Sequence, residues 1–118
     1  MARSALQQIG DAGEQQALEH LLEAGLVLVA RQASNRLGEI DLIMREGDEL
    51  VFVEVRRRRR TDYGGAAASV TPAKQRRVLR AAQVWLQAHC GDRWPACRFD
   101  VCAIDGHSIE WIRGAFCL

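Results

Sequence analysis

The sequence contains no run of apolar residues that approaches the ~20 needed for a transmembrane helix. The N-terminal stretch MARSALQQIGDAGEQQ also lacks the apolar core of a secretory signal peptide. These two absences argue against a membrane protein and against a secreted one, so the sequence predicts a cytoplasmic location. In that compartment the four cysteines are expected to be reduced thiols: Cys90, Cys97, Cys102 and Cys117.

Several motifs of common functional sites are also absent. There is no glycine-rich phosphate loop, no Ser-His-Asp arrangement, no internal repeat and no evident linker. Zinc is not the favoured interpretation of the C-terminal cysteines and histidines, because they lack the C-x-x-C pair of structural zinc sites. The residues concerned are His89, Cys90, Cys97, Cys102 and His107. A chain of 118 residues, about half of them apolar, suits one domain spanning residues 1–118.

Lysine is almost missing, since Lys74 is the single lysine among 16 cationic residues. The formal net charge of +1 hides an asymmetry: residues 1–55 carry a net −6, and residues 56–118 carry +7. Arginine matches the geometry of phosphate, so this excess in the second half suggests phosphate or nucleic acid as a partner. An ordinary solvated surface is the alternative, and net charge alone favours it.

The pattern of apolar residues and turn signals predicts two helices and five strands. The first helix is expected at residues 11–25, where Gly25 ends it, and the second from Pro72 to about His89, with Thr71 as its N-cap. The second helix is predicted to turn inward the residues Val78, Ala82, Trp85, Leu86 and His89. The strands are expected at residues 26–32, which look buried, 39–46, 49–56, 98–105 and 108–114, the last at a sheet edge; residues 34–38 form a turn and 57–71 a mobile basic loop. The order αβββαββ describes an α/β domain with a small mixed sheet flanked by helices.

One acid lies in an unexpected place on the first helix. At 100° per residue, Glu14 falls in the middle of the apolar arc formed by Ala17, Leu18, Leu21 and Leu22. An unpaired buried charge is costly, so an acid in this position needs a functional reason or a partner. The alternative is that Glu14 belongs to the first turn, where a carboxylate suits the helix dipole.

The second and third strands bring two further acids together. Gly47-Asp48 suits a two-residue hairpin turn, in which paired residue numbers sum to 95. Asp41 then lies opposite Glu54, with Cβ atoms ~4.5–5.5 Å apart, and the two charges repel by ~3 kcal/mol at an effective dielectric of ~20. The same register places Glu39 opposite Arg56 and Ile43 opposite Phe52.

A shared proton, a nearby cation or a bound metal would relieve this repulsion. Two carboxylates combined with water and a substrate phosphate are ligands that Mg²⁺ prefers. A solvated acid pair on an open sheet face is the alternative. The neighbouring Ile43 and Phe52 indicate that the face is partly covered, which favours the metal site.

Several motifs together resemble one family. They are Gly13-Glu14, GEIDLI from Gly38 to Ile43, FVEV from Phe52 to Val55, Lys74, and RFDV from Arg98 to Val101. The chain resembles, over nearly its whole length, the YraN-like family of small bacterial proteins. That family is similar to archaeal Holliday-junction resolvases and belongs to the restriction-endonuclease-like superfamily.

The resemblance implies a nuclease-type α/β core with a metal-binding motif of Asp followed by Glu-x-Lys. Asp41 matches the Asp, Glu54 matches the Glu, and Mg²⁺ or Mn²⁺ is the implied cofactor. Arg56 stands where lysine is usual, and Arg56 is bulkier and is not deprotonated at working pH. Lys74 could substitute for that lysine, or it could be an ordinary first-turn residue. Glu14 matches the first-helix acid of resolvase-like members.

The leading functional hypothesis is a metal-dependent endonuclease that acts on structured or branched DNA. In it, Glu14, Asp41, Glu54, Arg56 and Lys74 form the catalytic set. The run Arg57, Arg58, Arg59 and Arg60 would bind phosphates, although a solvated charge run is the alternative. A non-catalytic nucleic-acid-binding module and a protein-interaction domain are the other two hypotheses. Symmetric DNA junctions favour a homodimer by analogy.

Overall fold

The computed structural model describes residues 5–57 and 67–117. Most of the predicted mobile loop at residues 57–71, including Arg58, Arg59 and Arg60, lies outside the described residues. The described chain forms an α/β domain in the predicted order αβββαββ. Its elements are α1 (Ala5–Glu23), β1 (Val27–Asn35), β2 (Gly38–Glu46), β3 (Glu49–Arg57), a 3-10 helix (Ala67–Ser69), α2 (Pro72–Cys90), β4 (Cys97–Asp105) and β5 (Ser108–Phe116).

The five strands form one mixed sheet in the order β1-β2-β3-β4-β5. Neighbouring strands are antiparallel except β3 and β4, which are parallel. A parallel pair requires a crossover connection, and α2 lies within that connection. Both β1 and β5 are therefore edge strands, as predicted for β5.

Each face of the sheet is covered by one helix. Leu18 and Leu21 of α1 pack with Leu42 and Val53 on one face. On the other face, α2 buries a second cluster formed by Ile40, Ile43, Leu50, Phe52, Val78, Ala81, Ala82, Leu86 and Phe99. The acid pair was predicted where β2 starts and β3 ends, and Glu54 lies there beside Lys74 and Arg77 of α2.

Thr71 and Pro72 begin α2 as predicted. The Thr71 Oγ1 accepts a hydrogen bond from the backbone N–H of Lys74 at 3.3 Å, and Pro72 occupies the first helical position. The predicted inward face is wrong at His89, which is exposed near the C-terminal end of α2. Its ring stacks on Trp85, and its Nδ1 lies 2.9 Å from the Trp85 carbonyl oxygen, so local contacts satisfy it outside the core.

The sequence prediction was wrong about where the first helix begins and about the burial of the first strand. α1 begins at Ala5 rather than residue 11, because Gly10 and Gly13 are tolerated inside a helix at a cost of ~1 kcal/mol each. The predicted apolar arc of α1 is also wrong at Leu22, whose side chain is 45% exposed. The strand β1 is not buried: Val27, Leu28 and Val29 are all exposed, since β1 is a sheet edge that α1 covers only in part.

The predicted turn at residues 34–38 is shorter than expected, because β1 continues to Asn35 and only Arg36 and Leu37 separate it from β2. The last strand extends to Phe116, two residues past its predicted end. In the portion of the chain that the structure describes, no helix is long and apolar enough to cross a membrane.

Candidate metal and phosphate site

The register of the β2–β3 hairpin is the predicted one from the turn to Leu42, but the ladder does not contain the predicted pairs Asp41–Glu54 and Glu39–Arg56. Leu42 pairs with Val53 and Ile43 with Phe52, and the ladder continues to Glu46 and Glu49 at the two-residue turn. Beyond Leu42 the regular ladder stops, and the backbone N–H of Val55 donates instead to the Asp41 Oδ2 at 2.8 Å. The Asp41 side chain therefore reaches across to β3 next to Glu54.

The two carboxyl groups shift each other's protonation. Burial and the neighbouring charge of Glu54 raise the pKa of Asp41 to about 8. Burial also raises the pKa of Glu54, and the Arg56 charge, a hydrogen bond from Asp41 and the Lys74 charge partly oppose that rise. At neutral pH without a cation, Asp41 thus holds a proton that it shares with Glu54.

Glu14 is buried in the middle of α1, at 6% exposure, which rules out the first-turn interpretation. Its Oε1 accepts a hydrogen bond from Arg31 Nε at 3.3 Å, and its Oε2 accepts one from Gln32 Nε2 at 3.4 Å. The Glu14 charge also contributes to the raised pKa of Asp41. The structure therefore brings the first-helix acid into electrostatic reach of the acid pair.

Gln32 is a feature of this site that sequence reasoning missed. In the described ranges 5–57 and 67–117, Gln32 is the one non-glycine residue whose φ is positive, at +49°. It lies where β1 passes Asp41, between the ladder pairs Arg31–Leu42 and Ala33–Ile40. At the same point the alternation of side chains along β2 is broken, because Ile40 and Ile43 both pack in the cluster under α2. Strained backbone of this kind is concentrated at functional sites, and no sequence signal marks it.

Two cations approach the acid pair from the side of α2. Arg56 Nε donates to the Ser69 Oγ at 2.9 Å, and its Nη1 lies 3.8 Å from Glu54 Oε1. Lys74 is close enough to lower the pKa of Glu54. Together they border an open groove lined by Gly38, Glu39, Glu54, Arg56, Lys74, Arg77 and Val78. Arg56 thus binds a site carboxylate and the 3-10 helix at once.

Gly38 holds the groove's rim against α2. Its φ of +155° is one that a side chain rarely adopts, and a Cβ there would lie 3.6 Å from the Arg77 carbonyl oxygen. Asn35 Nδ2 donates to the Ala81 carbonyl oxygen at 3.1 Å, which fixes the β1–β2 turn on the same helix. The glycine of the GEIDLI motif is therefore required by backbone conformation.

The acid pair fits a divalent cation as a two-carboxylate site. In residues 5–57 and 67–117, no three carboxylate, histidine or cysteine side chains converge to hold one ion, so Glu14 does not complete a three-ligand set. Mg²⁺ is commonly held by one or two carboxylates, with water and substrate phosphate supplying its other ligands. A cation here would displace the proton that Asp41 and Glu54 share.

Arg57 is the described member of the predicted phosphate-binding run, and it is exposed at the end of β3.

The RFDV motif does not belong to the site. Arg98 and Asp100 form a separate network with Glu46 and Glu49 at the turn end of the hairpin. Cys102 is buried in the interior of β4, as its strand position predicted.

Comparison with known proteins identifies the family. Residues 13–104 match the family described as "Uncharacterised protein family UPF0102". The chain belongs to the UPF0102 family. The UPF0102 match begins at Gly13 and ends at Ile104, so it contains all five predicted catalytic residues and confirms the YraN-like resemblance.

Individual UPF0102 relatives cover most of the chain. A UPF0102 protein of Alkalilimnicola ehrlichii is 55% identical over 107 residues, 91% of this chain and 85% of its own length. A UPF0102 protein of Herminiimonas arsenicoxydans is 50% identical over 113 residues, 96% and 90% of the two chains. The UPF0102 protein YraN of Escherichia fergusonii is 54% identical over 110 residues, 92% and 84% of the two chains.

Proposed function

We propose that this protein is a metal-dependent endonuclease that acts on structured or branched DNA. The observation that carries the proposal is the acid pair: Asp41 and Glu54 are half-buried and adjacent, each has a raised pKa, and Glu54 lines a groove together with Arg56, Lys74 and Arg77. Perturbed carboxylates in a groove are candidates for a functional site. A homodimer would match a two-fold symmetric junction.

Each residue of the site has a role in this proposal. Asp41 and Glu54 hold Mg²⁺ or Mn²⁺, which when bound supplies a Lewis acid for a phosphate oxygen and lowers the pKa of a bound water. The hydrogen bond from Val55 N–H orients Asp41, and the charge of Glu14 makes the pair a better cation ligand. Lys74 and Arg77 attract the phosphate to the groove.

The arginine run extends this phosphate site. Arg57 continues β3 directly past Glu54 and Arg56, and Arg58, Arg59 and Arg60 follow it in sequence. In the proposal these four residues neutralise phosphates flanking the cleaved bond. Their replacement by glutamine is expected to weaken DNA binding for every sequence tested.

The deciding experiment is a cleavage screen over duplex, flap, four-way junction and single-stranded DNA with Mg²⁺ and Mn²⁺. We expect cleavage by the parent protein, and its loss in Asp41→Asn and Glu54→Gln. Glu110→Gln, which changes an exposed acid on β5, is the matched control and should cleave normally. Absence of cleavage on every substrate, or full activity in the two site variants, would reject the proposal.

Metal binding gives a second readout that does not depend on catalysis. A cation that binds the folded state at 100 times its Kd stabilises it by ~2.7 kcal/mol. We expect Mg²⁺ to raise the Tm of the parent and of Glu110→Gln, and to leave the Asp41→Asn/Glu54→Gln double variant unchanged. Equal shifts in all three proteins would place the cation elsewhere.

One observation favours a second candidate, a nucleic-acid-binding module without cleavage. Arg56 occupies the position where a nuclease of this type has lysine, and its guanidinium is engaged by Ser69 and by Glu54. A guanidinium held in this way is directed at a hydroxyl and a carboxylate rather than at an attacking water. DNA binding that weakens with salt, together with no cleavage in the screen, would select this function.

A further inference from the structure

The helix α2 has an unusual charge distribution. Its 19 residues include four cations and no aspartate or glutamate. Val78, Ala81, Ala82 and Leu86 face the core. The exposed side of the helix carries Arg76, Arg77 and Arg80, all within about 100° of arc. We call these three residues the α2 basic face.

The described arginines differ in whether a carboxylate lies close to them. Arg31, Arg56, Arg98 and Arg113 each have a carboxylate oxygen within 4 Å. The three arginines of the α2 basic face and Arg36 have no such ion pair in the described parts of the chain, and neither do Arg45 and Arg93, which lie apart from one another on β2 and before β4. Positive charge on this face is thus not neutralised within the described protein.

These cations are also poorly placed for the stability of the helix itself. Lys74 lies in the first turn of α2, where the helix dipole disfavours positive charge, and Arg76 and Arg77 follow in the second turn. Arg76 and Arg80 are four residues apart, a spacing at which like charges on a helix repel each other. Local stability therefore does not account for the pattern, whereas an external polyanion would reverse both penalties.

The α2 basic face is continuous with the groove of the acid pair. Arg77 belongs both to this face and to the groove that Glu54 and Lys74 line. Arg36, exposed in the β1–β2 turn, is held beside the helix by the hydrogen bond between Asn35 and Ala81. A row of cations therefore leads outward from the site across α2.

We infer that the α2 basic face, together with Arg36, binds the phosphodiester backbone of the DNA whose cleavage site lies at Asp41 and Glu54. This inference rests on the proposed function for the position of the scissile phosphate. It assigns to α2 the contacts that orient the DNA on the protein. Such contacts bind all sequences alike, because they reach phosphates and not base edges.

The test compares two double variants that each remove two exposed positive charges. Arg76→Gln/Arg80→Gln alters the α2 basic face, and Arg45→Gln/Arg93→Gln alters exposed arginines on β2 and before β4. Duplex affinity is measured by fluorescence anisotropy without metal between about 50 and 200 mM salt. Losing two phosphate contacts flattens the slope of log affinity against log salt by ~1.8, so the parent should lose about tenfold more affinity over this range than the α2 variant.

Further proteins make the outcome specific. The Arg45→Gln/Arg93→Gln control should keep the parent slope, and Arg76→Lys/Arg80→Lys should keep most of it because the charge remains. Equal slopes in the two glutamine variants would overturn the inference. If Arg76→Gln/Arg80→Gln cleaves DNA and keeps the salt dependence of the parent, the α2 inference fails and the endonuclease proposal stands. If binding depends on salt and requires the α2 basic face but the parent does not cleave, the α2 inference stands and the endonuclease proposal fails.

Discussion

The β2–β3 hairpin carries a pair of acids at each end, and the two pairs have opposite environments. At the turn, Glu46 is paired with Glu49, and Arg98 Nη1 bridges them at 2.7 and 2.8 Å. At the open end, Asp41 and Glu54 face each other with no bridging cation in the described chain; Arg56 lies 3.8 Å from Glu54. The hairpin therefore carries one pair that an arginine bridges, here called the compensated pair, and one pair, Asp41 with Glu54, in which no single cation bridges both acids, here called the uncompensated pair.

The protonation of the two pairs follows from this difference. Hydrogen bonds from Arg98 and Arg113 lower the pKa of Glu46. Burial and Glu54 raise the pKa of Asp41 to about 8. Ion pairs favour the ionised form at the turn, whereas burial disfavours it at the open end. An acid pair that costs stability indicates function better than one that contributes to it.

The largest expected effect comes from breaking the compensated pair. Arg98 Nε also bonds to Asp100, a fully buried carboxylate that in addition accepts hydrogen bonds from Trp111 Nε1 and the Gly114 N–H. Arg98→Met should therefore lower the free energy of unfolding by ~3–5 kcal/mol, because it leaves a buried charge without its partner. Urea unfolding measures this loss.

Arg113 provides the matched control for that variant. It bonds to the same Glu46 oxygen at 2.8 Å but is 52% exposed. Arg113→Gln should cost no more than ~1 kcal/mol. If Arg98→Met and Arg113→Gln were equally mild, the turn pair would not be the structural cluster described above.

The second prediction concerns the uncompensated pair and pH. The pKa of Asp41 is about 8 in the folded protein and 3.8 without its environment, so the folded state binds the extra proton between these values. Stability should therefore fall as pH rises from about 4 to 8, by up to ~1.4 kcal/mol per pH unit. Asp41→Asn should remove this slope and be the more stable protein near pH 8.

Denaturant unfolding in metal-free buffer at pH values from about 5 to 8 tests this difference. Glu46→Gln is the opposite control: its carboxylate has a lowered pKa, so its contribution to stability is present at neutral pH and lost in acid. Parallel pH curves for the parent and Asp41→Asn would show that Asp41 is already compensated, and the comparison would fail.

The third prediction links Glu14 to the same pair. Glu14→Gln removes the carboxylate that pairs with the partly exposed Arg31, which should cost ~1 kcal/mol. It also removes one cause of the raised pKa of Asp41, so the pH-dependent loss of stability should end at a lower pH. Glu19→Gln, on the exposed side of the same helix, should leave that midpoint unmoved. An unmoved midpoint in Glu14→Gln would separate Glu14 from the site.

Sequence reasoning succeeded where a short-range rule determines the outcome. Gly47-Asp48 specified the hairpin turn, and the turn specified the register from Glu46–Glu49 to Leu42–Val53. Thr71-Pro72 likewise predicted the start of α2. Sequence reasoning failed for the burial of β1. An apolar run of this length is compatible with either a central strand or an edge strand, and only the sheet order decides between them.

The partners of the site were less predictable than the acids themselves. Arg31 and Gln32 reach Glu14 only because β1 pairs with β2 beside α1, and the positive φ of Gln32 has no signature in its side chain. Ser69 reaches Arg56 across 13 residues of sequence. Contacts between elements depend on tertiary packing, which local patterns do not encode.

The smallest expected effect comes from Arg56→Lys. Both side chains carry one positive charge, and the ammonium can approach Glu54 and an attacking water more closely than the guanidinium, which the Ser69 Oγ now holds. Single-turnover cleavage at saturating metal should therefore stay within about threefold of the parent or rise, a change of at most ~0.7 kcal/mol in the barrier if the rate falls.

Arg56→Ala should lower the rate and still bind metal, because Asp41 and Glu54 remain. Lys74→Ala should lower it only if Lys74 acts as the assisting cation. If Arg56→Lys gains nothing and both alanine variants keep the parent rate, neither residue assists the reaction. If Arg56→Lys cleaves DNA that the parent only binds, arginine at this position is what separates a binding module from a nuclease on this fold.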